Sequence, residues 1–313
     1  MKLKSFVVAV IILGCVSVLP VRADEESAQL QALVAKYAAS IVTVKAVLKT
    51  EFKAGGESQD SESRITVQGV VVDADGMVVV SNLPFSSKRM MEMFGGMGAG
   101  EASGFGIKMS PTSFKVIIER EEKEYDAFLA ATDAKYDVAF IKIDGLGDRK
   151  LQAIDFSNAA SPAFGQKVIC VSRLGKGFDY APFFQTARIS GEIAKPIKAW
   201  MVDGSISSFG LPIFTQTGEP IGILSTVPSG VKEDGTSDRM GFTFMMRMLG
   251  GNGSSPGGAF LLPGAPVKAL VEQAKLQAIT VAAERAKKKE AKPATAAPIS
   301  KPVPGKPAKP PKQ

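Results

Sequence analysis

Short runs of β-branched and apolar residues, each closed by turn-forming residues, recur from residue 41 to residue 224 and constrain the fold more than any other feature. Ile41-Val42-Thr43-Val44 opens the pattern, and Ile65 to Val72 follows. The turn Asp73-Ala74-Asp75-Gly76 leads into Met77-Val78-Val79-Val80. Phe114 to Ile118 and Glu124 to Ala130 flank the charged turn Glu121-Glu122-Lys123, and Val138 to Ile143 is a further run. The second half repeats the style at 167–172, 187–191, 211–214 and 220–224. Many short strands between turns predict an all-β sandwich or barrel. The 313 residues are too many for one small barrel and suit two. A helix is expected over Ala28 to Ala39. A second is expected from Pro266 to about Arg285, with Pro in the first turn and an apolar stripe at Val267, Leu270, Val271, Ala274 and Ala278. Residues 84–112 and 226–258 are rich in Gly, Ser and Met and read as long surface loops.

The N-terminus reads as an export signal. Lys2 and Lys4 precede an apolar run from Phe6 to Leu19, and Val21-Arg22-Ala23 offers small residues to a signal peptidase. Cleavage after Ala23 and an exported, periplasmic or cell-envelope location are the expectation. Two rivals stand beside it. Cys15 weakly imitates a lipoprotein cysteine, and the run could remain as an uncleaved anchor although it is short for a membrane span. Loss of Cys15 with the signal leaves Cys170 alone in an apolar run, where a buried, inert thiol is expected. Charge is segregated. Residues 284–313 carry nine lysines and arginines against Glu284 and Glu290, a net +7 that equals the net charge of the whole chain. The signal region adds Lys2, Lys4 and Arg22, so residues 24–283 sum to −3. The body is mildly acidic, and the basic pI gives no case for a nucleic-acid partner.

The chain contains no histidine. That closes the Ser-His-Asp mechanism, which uses imidazole as general base and then general acid. The omission matters because several blocks resemble the HtrA-type (Deg family) trypsin-like serine proteases. Gln68-Gly69-Val70-Val71-Val72-Asp73, then Gly76-Met77-Val78-Val79-Val80-Ser81-Asn82, resembles that family's G-S-G-V-I-I-D…G-Y-V-V-T-N-x-H-V. Tyr136-Asp137-Val138-Ala139-Phe140-Ile141 is similar to its S-D-I-A-L-I block, and Gly218-Glu219-Pro220-Ile221-Gly222-Ile223 to its G-E-L-I-G-I. Phe260-Leu261-Leu262-Pro263 before a helix is similar to its F-A-I-P and closing helix. Four blocks in this order, over about residues 38–275, imply an all-β, chymotrypsin/trypsin-like double β-barrel with a C-terminal helix and a disordered basic tail. The resemblance puts Pro84 at the histidine position, Asp137 at the aspartate position and Phe209 at the serine position. Ser207 then stands where the oxyanion-hole motif begins with glycine. Ser208 is a fallback nucleophile if the register slips by one, and a Ser–Lys pair would then be needed. Asp137 also has a structural reading, as an acceptor of backbone hydrogen bonds at a strand entry.

Eight of the twelve methionines fall in two segments: Met90, Met91, Met93 and Met97, and Met240, Met245, Met246 and Met248. In HtrA-type proteases the corresponding loops border the cleft and help regulate assembly. Clustered thioethers suit an adaptable binding surface, and mutual packing of the two loops is an equal reading. Thioethers also favour Cu(I), but no histidine reinforces such a site, so no metal or cofactor is expected. From Lys292 onward Pro, Ala and Lys dominate, and this tail can adhere weakly to acidic envelope polymers or lipid headgroups. Too few residues follow the helix for the PDZ domain that the resemblance would otherwise imply. The expected organisation is signal peptide 1–23, N-terminal barrel 24–155, C-terminal barrel 156–264, helix 265–290 and tail 291–313. The expected function is that of an exported pseudoprotease, a non-catalytic relative that binds a protein, a peptide or an active protease partner, with an oligomer left open. A serine peptidase with a rearranged site and a structural envelope scaffold are the alternatives.

Overall fold

The computed structural model describes residues 21–54, 57–88, 106–195, 197–226 and 259–290. The expected signal run, both methionine-rich segments and the Lys/Pro tail lie outside these residues.

Twelve strands form two closed antiparallel barrels. The first consists of β1 (Ile41–Ala54), β2 (Glu57–Asp73), β3 (Met77–Ser81), β4 (Gly106–Ile118), β5 (Glu124–Asp133) and β6 (Val138–Ile143), in the spatial order β1-β2-β3-β6-β5-β4. The second consists of β7 (Lys167–Arg173), β8 (Pro182–Ile193), β9 (Ala199–Gly204), β10 (Pro212–Thr215), β11 (Pro220–Ser225) and β12 (Phe260–Pro263), in the order β10-β11-β12-β9-β8-β7. Helix α1 (Val21–Tyr37) precedes the barrels and α2 (Gly264–Glu290) follows them.

The apolar runs lack polar alternation because several strands are covered on both faces. Val78 and Val80 of β3 point into the first barrel's core with Val42, Val44, Val71, Ile118 and Ile141. Met77 and Val79, one step along, join the larger core shared with the second barrel's Val168, Ile213 and Leu224. The turn that joins β2 to β3 closes with Gly76 N–H donating to Asp73 C=O at 2.9 Å, and Gly76 has φ +91°, which glycine adopts without strain.

The two helices cross over. α1 precedes the first barrel but docks on the second: Tyr37 stacks on Phe214 at 4.2 Å, and its hydroxyl donates to Gly218 C=O at 2.8 Å. Glu26 pairs with Lys167 of β7. α2 leaves the second barrel and reaches back to the first. Its stripe of Val267, Leu270, Val271, Ala274 and Ala278 is buried, Lys275 pairs with Asp73 at 2.8 Å, and Arg285 lies 4.9 Å above the Phe128 ring.

Several boundaries differ from the sequence expectation; α1 begins at Val21 rather than Ala28, and β8 spans Pro182–Ile193 rather than 187–191. β4 begins at Gly106, inside the stretch read as a loop over 84–112. β1 and β2 extend far past their apolar runs, because their polar ends pair with each other and with β4. β9, Ala-Trp-Met-Val-Asp-Gly, was missed: its apolar core is only Ala199 to Val202, although Pro196 and Asp203-Gly204 bound it.

Candidate functional site

The aligned positions meet where β3 ends. Ser81 Oγ accepts the Leu83 N–H at 3.3 Å, and Asn82 C=O accepts the Phe85 N–H at 2.9 Å, so the chain turns in a single 3₁₀ turn, Leu83–Phe85, as it leaves the barrel. Pro84 suits this turn, where its fixed φ fits and no N–H is needed. Leu83 and Phe85 are buried, the latter edge-on to Phe114 at 5.6 Å, while Pro84 stays partly exposed.

Asp137 sits just before β6 and is buried. Its φ of +54° is unusual for a residue with a side chain and marks a backbone held by its surroundings. Its C=O accepts the Asn82 N–H at 3.0 Å, and its Oδ2 accepts the Thr226 hydroxyl. Next door, the Ser225 hydroxyl donates to Tyr136 C=O at 2.7 Å. Asp137 therefore straps the end of β11, in the second barrel, to the β3 exit in the first.

Phe209 arrives from the other side. The half-buried ring packs on the larger core. Gly210 follows with φ +83°, its N–H donates to Leu224 C=O at 2.7 Å, and a Cβ on it would come within 2.5 Å of Ser81 N. Only glycine fits so close to another backbone. The close approach brings the 209–210 turn against Ser81–Asn82. The segments that carry Pro84, Asp137 and Phe209 thus meet on one short piece of chain, Ser81–Asn82.

Ser208 faces neutral groups. Its hydroxyl donates to Gln185 Oε1 at 3.3 Å and lies 3.4 Å from Ser172 Oγ. Fully buried Ser172 in turn donates to Gln68 Oε1 at 2.5 Å, and Gln185 Nε2 donates to Ser205 C=O at 2.8 Å. A serine attacks only when a neighbour takes its proton; none of these groups does so near neutral pH. Ser207 is exposed. Cys170, centred in β7, is fully buried, and burial alone pushes its thiol up to about 12, which leaves it protonated and inert.

Beside this cluster lies Arg173, which sequence reasoning passed over. It is 4 % exposed, and burial lowers the pKa of its guanidinium, with Glu119 partly opposing. Nε donates to Ala38 C=O at 2.9 Å and Ile41 C=O at 3.1 Å, Nη2 to Ala38 C=O at 2.7 Å, and Nη1 to Tyr180 C=O at 3.0 Å. One side chain of β7 thereby binds the α1 exit, the start of β1 and the β7–β8 turn. Thr226, Ser225 and Ser172 were also missed. Their signal was available: polar residues within or ending a buried apolar strand need partners. The partners lie in the other barrel, and no local pattern reports them.

Two closed six-stranded antiparallel barrels with a site formed where their strand ends meet define the double-barrel peptidase architecture. The model of the trypsin-like peptidase domain matches residues 67–223, a stretch that contains Pro84, Asp137, Ser208 and Phe209, and the chain belongs to that family. No curated protein matches it.

Proposed function

We propose that this protein is an exported, HtrA-like member of the trypsin-like peptidase family that binds polypeptide without hydrolysing it. The observation that carries the reading is the content of the site. Pro84 stands at the position aligned with the catalytic histidine, Phe209 at that of the serine, and the chain has no histidine to recruit from elsewhere. Asp137 has work independent of catalysis: it holds Asn82 and Thr226 in place. Around Phe209 the accessible groups are an aromatic face and the neutral hydroxyls and amides of Ser208, Gln185 and Gln68, which suit an uncharged backbone. The two methionine-rich segments are proposed as an adaptable binding surface, and the ligand as an unfolded polypeptide or an active protease. The Lys-rich tail serves as a weak tether to anionic envelope polymers or headgroups.

A fluorophosphonate serine-hydrolase probe tests the loss of chemistry. Intact-mass analysis is expected to show no adduct on the wild-type protein after prolonged incubation. An adduct that disappears in Ser208→Ala or Ser207→Ala would identify a displaced nucleophile and make the protein an enzyme.

A further inference from the structure

A three-stranded blade extends from the first barrel, and only its inner part, with Leu48, Ile65, Val67 and Met109, lies on that barrel's core. β1 pairs with β2 without a break from Ile41↔Val70 to Ala54↔Glu57, and with β4 out to Lys53↔Gly106. β2 meets β3 only from Val70 onward, and β4 meets β5 only over Phe114–Ile117. The distal halves of β2 and β4 are therefore the two edges of the blade.

The edges are treated differently. On β4 the Ser87 hydroxyl accepts the Met109 N–H at 2.7 Å and donates to Met109 C=O at 3.3 Å. Pro111 removes a further donor, and Lys108 adds charge. On β2 the edge is charged (Glu57, Asp60, Glu62 and Arg64), but no side chain among the described residues caps it and no proline interrupts it. From Glu57 to Val67 it holds no proline and no lysine, its pairing with β1 has no bulge, and every residue from Glu57 to Arg64 is exposed. Among the described residues no strand pairs with this edge. An open, regular edge of this length is a template for another strand.

Charge identifies the strand that fits. We infer that the β2 edge pairs antiparallel with the β2 edge of a second copy of this chain, about a two-fold axis at Ser63. A two-fold axis perpendicular to the sheet opposes only residues of the same face, so the axis must pass through a residue. Centred on Ser61, the pairing would oppose Asp60 to Glu62. Centred on Asp60, Glu62 or Arg64, it would oppose each to itself. Centred on Ser63, Glu62 of each copy faces Arg64 of the other, Asp60 faces Thr66, and Ser61 faces Ile65. Asp60 is already engaged by Lys49 at 2.8 Å, whereas Glu62 and Arg64 have no ion-pair partner among the described residues. The two pairs form on the charged face of the blade. Phe52, Ile107 and Met109 lie on the opposite face, which becomes continuous across six strands.

Sedimentation velocity over a range of protein concentrations reads the self-association. Glu62→Arg and Arg64→Glu each put like charges opposite one another twice and are expected to weaken the dimer about tenfold. The double variant E62R/R64E restores the pairing and is expected to restore the dimer. Residues 62, 63 and 64 are exposed, so thermal unfolding measured at concentrations where wild type is monomeric should be unaltered in every variant. In a Cys15→Ser background, Ser63→Cys should give a disulfide-linked dimer on mild oxidation, because directly opposed residues are close enough to bridge. Ser110→Cys, on the blocked edge, should not; Cys170 is buried and silent. A monomer at every concentration, association indifferent to the single reversals, or equal cross-linking at Ser110→Cys would overturn the inference.

Discussion

Arg173 shows what one residue can hold together in a molecule of this kind. A guanidinium out of water is costly unless its donors are satisfied, and here three backbone carbonyls from three separate segments satisfy them. One of those carbonyls belongs to Tyr180, which follows Asp179 in a turn where both residues have positive φ. The strained turn and the buried cation sustain each other. Arg173→Met leaves the carbonyls of Ala38, Ile41 and Tyr180 without this donor and is expected to cost about 3 kcal/mol. The loss should appear as a lower urea midpoint with an unchanged slope; a midpoint equal to wild type would show that the contacts carry no net stability. Asp137 was singled out from sequence, and the structure shows it bonded through its backbone C=O to the Asn82 N–H and through Oδ2 to the Thr226 hydroxyl. Arg173 was not legible, because an arginine closing an apolar run looks like a strand end meeting solvent.

At the scale of elements, the crossed helices tie the barrels through identifiable pairs, and the Asp73–Lys275 pair is the one that pH reports. Partial burial raises the Asp73 pKa, but the Lys275 ammonium, the Asp75 N–H and the charge of Lys142 outweigh it and hold the carboxyl below the usual carboxylate value. A folded pKa below the unfolded one gives stability that is complete above the unfolded value. It is lost as pH falls through the folded value. Lys275, raised chiefly by its hydrogen bond to Asp73, keeps its charge to higher pH than an ordinary lysine. Lys275→Met is therefore expected to cost ~0.5–1 kcal/mol at neutral pH, the modest figure reflecting solvent screening of the half-exposed ammonium. The difference from wild type should vanish below the folded pKa of Asp73. Thermal melts stepped down from pH 7 through the acid range, to about two units below an ordinary aspartate, would read it as a deficit that closes progressively; a deficit that persists in acid would assign the effect to lost packing of the lysine stem. The apolar halves of the strands were legible here, and so was the Asp-Ala-Asp-Gly turn that presents Asp73. The polar halves of β1, β2 and β4 were not, since exposed strands stabilised by one another carry no apolar signal.

At the scale of the molecule, two barrels were legible because the β-branched runs repeat at turn-bounded intervals in both halves, and the family match over residues 67–223 agrees with them. The way the barrels meet was not legible. Gly210 against Ser81, Thr226 on Asp137 and Ser172 on Gln68 each join residues far apart in sequence. Absence of histidine was the most economical clue, since it bears on mechanism without reference to any contact. Capture without cleavage is tested by one titration. Fluorescently labelled, unfolded casein is added to the protein, anisotropy reports binding, and intact mass reports the state of the casein afterwards. Saturable binding of casein that stays intact, weakened at least about tenfold by Phe209→Arg, which puts a charge in place of an apolar contact, is the expected result. Casein cut into fragments, no binding, or binding indifferent to Phe209→Arg would contradict capture without cleavage at this site.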